Sequence, residues 1–97
     1  MTKLENQVHM SIRELKQKLN KLRSLNDLTV RIYNYDDNDE EGFIVEVVSN
    51  FMTDDDTYFD LNTYGTEKEA MKRAEAVRKT LKANYNVVDG EIEVYQV

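Results

Sequence analysis

The chain has 97 residues, of which 33% are charged and 40% hydrophobic, with a formal net charge of −6. It contains no Cys, which excludes disulfides, thiol nucleophiles and thiolate metal sites. A chain of this size makes one domain, residues 1–97, with a single two-layer core and little room for a deep enclosed active site.

The charge falls in blocks. Lys3 to Arg23 holds six basic and two acidic residues, Asp27 to Gly65 holds eleven acidic residues against the lone Arg31, and Thr66 to Val97 holds six of each. Blocks of one sign suit either a solvated surface or a charged partner. No apolar run is long enough to span a membrane, and Met1-Thr2-Lys3-Leu4-Glu5-Asn6 lacks the apolar region of a signal peptide. The expected location is therefore the cytoplasm.

Val8, Ile12, Leu15, Leu19 and Leu22 step by four and three residues, which predicts one long helix over Lys3–Leu25. Such a helix would outrun the sheet it covers, so its first turns would project. Asn26-Asp27 would stop it. Three strands follow in the sequence: Leu28–Tyr35, Phe43–Phe51 and Thr57–Thr63. In the first, Leu28, Val30 and Ile32 share a face opposite Thr29, Arg31, Tyr33 and Tyr35. The second is apolar on both faces, the mark of a central strand. In the third, Phe59 and Leu61 oppose Tyr58, Asp60 and Asn62. Short joins predict an antiparallel meander.

Thr66-Glu67-Lys68-Glu69 has the spacing of a capping box and opens a helix to about Asn84, with Ala70, Ala74, Val77 and Leu81 inward and Met71 beside them. Val87-Val88-Asp89-Gly90 makes the return. Glu91–Val97 is a last strand with Ile92 and Val94 inward. The expected fold is α+β in the order α-β-β-β-α-β, with both helices on one face of the sheet. Tyr33 and Tyr35 then lie on the uncovered face with Ile44 or Val48, where tyrosine suits a protein interface.

Both joins of the meander are acidic: Asp36, Asp37, Asp39, Glu40 and Glu41 in the first, Asp54, Asp55 and Asp56 in the second. Asp37-x-Asp39-x-Glu41-Gly42 has the start of a calcium loop, but Val48 stands where the twelfth-position acid is required. The joins are either solvated loops or, with Glu46 and Asp60 between them, a strip of negative charge imitating a phosphate backbone. His9, the single histidine, has no ligand-spaced partner, and no pair of carboxylates is placed in a pocket. No phosphate loop is present. The chain reads as non-enzymatic, with no cofactor and no metal.

The order α-β-β-β-α over roughly Leu4 to Leu81 resembles the double-stranded-RNA-binding domain, with Lys68, Lys72 and Arg73 matching that family's lysine-rich helix start. The pattern departs from the family at Glu67 and Glu69, and in the acidic first join. In general character, as a short, acidic, Cys-free α/β chain with a basic lead helix, it also resembles the small inhibitors of phages and mobile elements, including anti-CRISPR proteins. That resemblance implies a bacterial nucleic-acid-handling partner such as an RNA-guided CRISPR nuclease.

The leading expectation is an inhibitor that binds a basic nucleic-acid-binding groove. The acids of the two joins would supply charge, and Tyr33 and Tyr35 the anchors. A second is a nucleic-acid-binding module using Lys16, Lys18, Lys21, Arg23, Lys72, Arg73 and Lys79. A third is a small structural or dimerising protein. The chain is expected to be a monomer or weak homodimer without membrane attachment.

Overall fold

Alternating apolar side chains build the centre of the molecule. In a computed structural model, which describes residues 2–3, 7–21, 27–37, 40–49 and 57–96, the meander runs β3 (Leu28–Asp37), β4 (Glu40–Ser49) and β5 (Thr57–Tyr64). Two short strands precede it, β1 (Thr2–Lys3) and β2 (Gln7–Val8), and one closes the chain, β6 (Val94–Tyr95). The helices are α1 (Ile12–Asn20) and α2 (Glu67–Lys82). The sheet has the order β2-β5-β4-β3-β6, with β1 against β4. The meander is antiparallel as expected, but β1 and β6 pair in parallel with β4 and β3, so the sheet is mixed.

Both helices cover one face. Leu15 and Leu19 of α1 and Ala70, Ala74, Val77 and Leu81 of α2 join Leu28, Val30, Ile32, Phe43, Val45, Val47 and Leu61 in one buried cluster with Ile92. Each fully buried large aliphatic side chain contributes about 1.5–3 kcal/mol relative to exposure. The alanines of α2 let its backbone approach the sheet. Thr66 caps α2, its hydroxyl accepting from the Glu69 N–H at 3.3 Å, as the sequence predicts.

The lead helix is the main correction. It has nine residues, about 14 Å at 1.5 Å per residue, rather than a projecting rod from Lys3 to Leu25. Ser11 starts it, with Oγ accepting from the Glu14 N–H at 3.1 Å. Residues 7–8 instead join the sheet, Gln7 opposite Thr63 and Val8 opposite Asn62, and Val8 is 73% exposed rather than part of the core stripe. The backbone N–H groups of His9 and Met10 both donate to Leu61 O. A free sheet edge thus offered the segment before Ser11 hydrogen bonds that compete with helix formation. Lys21 is the C-cap; Leu22, Leu25 and the Asn26 part of the expected stop lie outside the described residues.

The C-terminal segment follows the outer edge of β3. Leu28 N donates to Asn86 O, Val88 N to Leu28 O and Ile32 N to Glu93 O, each at 2.8 Å. Between these contacts the chain bows out at Gly90, whose φ of 112° favours glycine. Regular strand is therefore confined to Val94–Tyr95, shorter than the expected Glu91–Val97, while Ile92 is buried and Val94 packs on the core.

Candidate interaction face

The sheet face away from the helices carries the alternate residues of each strand. On β3 it presents Arg31, Tyr33 and Tyr35, and on β4 Ile44 and Glu46, with Arg31 opposite Glu46, Tyr33 opposite Ile44 and Tyr35 opposite Gly42. Tyr33 is 6.3 Å from Tyr35 and 5.2 Å from Tyr95, centroid to centroid, the latter in an edge-on contact. The expected placement of Tyr33 and Tyr35 on the uncovered face, with Ile44, is what the structure has.

A bulge in β5 sets the far side of this face. Val45 pairs with Asn62 and Glu46 with Asp60, so Leu61 is the extra residue. Phe59 and Leu61 turn to the core as expected, and Tyr58 and Asp60 to the open face. Asn62 departs from the expected alternation: the bulge turns it toward α2, where its Oδ1 accepts from Arg73 Nε at 3.2 Å.

A charged cluster that the sequence reading did not assemble lies at the middle of the face. Glu46 is only 5% exposed, and its Oε1 accepts from Arg31 Nε at 2.9 Å and from the Tyr95 hydroxyl at 2.6 Å. The Arg31 guanidinium carbon stands 4.5 Å from the centre of the Tyr95 ring. Burial pushes the Tyr95 hydroxyl well above the ordinary phenol range, and its bond to Glu46 and that residue's charge push it further. For Arg31, burial acts to lower the pKa but is outweighed by the hydrogen bond to Glu46 and the negative charge of Glu46 and Glu93, so the net shift is upward. Asp60 is also raised, first by burial and then by Glu46. Together Arg31, Tyr33, Ile44, Glu46, Tyr58, Asp60 and Tyr95 line a shallow concavity of about 450 Å³.

Glu46 therefore does not extend a solvated acidic strip across the domain; it is the buried acceptor at the strip's expected midpoint. The signals were legible only in retrospect. Arg31 is the single base between Asp27 and Gly65, and Glu46 is an acid within an otherwise apolar central strand.

The acidic hairpin is also differently built from the expected loop. Asp36, Asp37, Glu40 and Glu41 belong to the strands, with Asp36 opposite Glu41 and Asp37 opposite Glu40. Like charges placed directly across a ladder repel. On the other edge of β4, the β1 register sets Lys3 beside Glu41. Asp39, Asp54, Asp55 and Asp56 lie outside the described residues. His9 is not on the lead helix; its Nε2 is 2.6 Å from Thr63 Oγ1, fastening the segment after β2 to β5.

Among the described residues, no helix is long and apolar enough to cross a membrane. Comparison with protein-family models, curated proteins and solved structures gave no match.

Proposed function

We propose that this chain is a non-enzymatic binding protein whose uncovered sheet face and acidic β3–β4 hairpin dock on a basic, nucleic-acid-binding groove of a bacterial protein. An RNA-guided CRISPR nuclease in the host cytoplasm is the kind of partner that fits, and occupation of its groove would exclude guide RNA or DNA. The observation that carries the reading is the continuity of the two features on one hairpin. Tyr33 and Tyr35 lead directly into the Asp36–Glu41 and Asp37–Glu40 pairs. The tyrosines bring contact area with polar tips, and the facing carboxylates of Asp36 and Glu41 bring a field that a cationic groove would neutralise. The cross-strand repulsion between Asp36 and Glu41 opposes folding, and its relief on docking adds to binding.

Direct nucleic-acid binding is less well supported. Glu67 and Glu69 occupy the first turn of α2, where a phosphate would need positive potential, and Arg73 is engaged by Asn62.

The test uses purified RNA-guided nucleases and measures guide loading and DNA cleavage with and without the chain. Inhibition that weakens with salt, and that falls in an Asp36→Asn, Glu41→Gln variant and in a Tyr33→Ala, Tyr35→Ala variant, supports the reading. A salt-sensitive gel shift of duplex RNA or DNA by the chain alone at low micromolar concentration would replace it with the nucleic-acid-binding alternative. Inhibition unaffected by both variants would place the binding surface elsewhere.

A further inference from the structure

Glu46 and Asp60 face each other directly across the β4–β5 ladder. Each contributes a carboxyl group to the same concavity. Two ionised carboxylates can only accept, so they cannot hydrogen-bond to one another. Yet Asp60 stands opposite Glu46 with its Oδ1 buried and without a hydrogen-bond partner. A buried acceptor left unsatisfied is destabilising. A proton between the two groups removes both difficulties.

The neighbours decide which group carries it. Glu46 Oε1 already accepts from the Arg31 Nε–H and the Tyr95 hydroxyl, so Glu46 is the acceptor of the pair and Asp60 the member left to donate. Around Asp60, β4 presents Glu46, β3 presents Arg31, β6 presents Tyr95, and the segment after β2 presents His9. Among the described residues, Arg31 is the one cation bonded to the pair, and its bond is to Glu46.

We propose that a proton donated by Asp60 bridges the facing carboxyl groups of Asp60 and Glu46 and forms a pH-sensitive switch in the charge of the open sheet face. With the proton in place, Arg31, Glu46 and Asp60 sum to zero. As pH rises the Asp60 O–H breaks, the proton leaves to solvent, and the electron pair stays on Asp60. The centre of the face then carries one net negative charge, and two facing carboxylates repel. The register that runs from Ser49 opposite Thr57 sets Asp60 opposite Glu46, and the bulge at Leu61 ends that register beside the pair and turns Asn62 to the core side. The switch belongs to the free chain and stands apart from the identity of any partner.

The experiment follows the Asp60 side-chain carboxyl carbon by NMR in the free protein across pH, in the wild type and in Glu46→Gln. The expected wild-type midpoint lies above the ordinary value of about 3.9, and Glu46→Gln, which removes the facing charge, brings it down. Thermal melts of wild type and Asp60→Asn give a second readout that survives if Glu46→Gln fails to fold. The Asn amide donates to Glu46 at every pH. Asp60's folded pKa is raised, so its contribution to stability is complete below the ordinary aspartate range and is lost as pH rises through the folded value. The wild-type midpoint temperature should fall across that window relative to Asp60→Asn. An Asp60 midpoint at or below the ordinary value, or parallel melting curves for the two proteins, would overturn the proposal.

Discussion

The Tyr95 hydroxyl donates to Glu46 Oε1 at 2.6 Å and ties the last strand to the centre of the sheet. Because β3 lies between β6 and β4, this bond reaches across a strand, over the Arg31 side chain that shares the same acceptor. Tyr95→Phe keeps the ring and its contact with Arg31 but removes the donor. We expect a loss of about 1.5–3 kcal/mol in urea unfolding, the range for a hydrogen bond to a charged group. The pH dependence has a defined sign. Tyr95's folded pKa is raised, so its contribution is complete below about pH 10 and is lost as pH rises beyond that ordinary phenol value. The difference between wild type and Tyr95→Phe in thermal melts should shrink in strong alkali.

Ser11→Ala tests the start of α1. The hydroxyl satisfies the Glu14 N–H and lies 3.4 Å from the Glu14 carboxylate. Removing it should cost about 0.5–2 kcal/mol, measured by denaturant unfolding, whereas Ser11→Asp should retain most of the stability.

Leu15 is fully buried between α1 and the sheet. Leu15→Ala should destabilise by about 2–5 kcal/mol, the cost of a large-to-small change in a packed core. The packing is internal to the domain, so the loss should be the same at two protein concentrations tenfold apart. A concentration-dependent melting temperature in the wild type that vanishes in the variant would instead make the stripe a seam between two copies.

Neutralising one member of the Asp36–Glu41 pair should not weaken the fold. With both acids directly opposite in the ladder, Asp36→Asn removes repulsion and should leave stability unchanged or raise it by about 0.2–0.5 kcal/mol at low salt, the gain fading as salt screens the pair. A clear loss of stability by urea unfolding would give these residues a structural role.

The sequence by itself determined the meander, the capped second helix and the side chains each turns inward. Those features depend on local rules: alternation along β3, a hydroxyl and carboxylate three residues apart at Thr66 and Glu69, and the i, i+4 spacing of Ala70 and Ala74. The same rule was present at Ser11 and Glu14 and would have placed the start of α1, but the apolar stepping from Val8 outweighed it. Tertiary structure alone decided the rest. Whether Gln7–Val8 is helix or strand depended on a free edge at β5, more than fifty residues away in the sequence. The turn of Asn62 toward Arg73 of α2 depended on one extra residue at Leu61, which shifts the phase of a strand without any mark in its composition. The Arg31–Glu46–Tyr95 cluster needed β6 to return alongside β3, and only that placement makes a buried acid in an apolar strand an acceptor for two donors from strands far apart in the sequence.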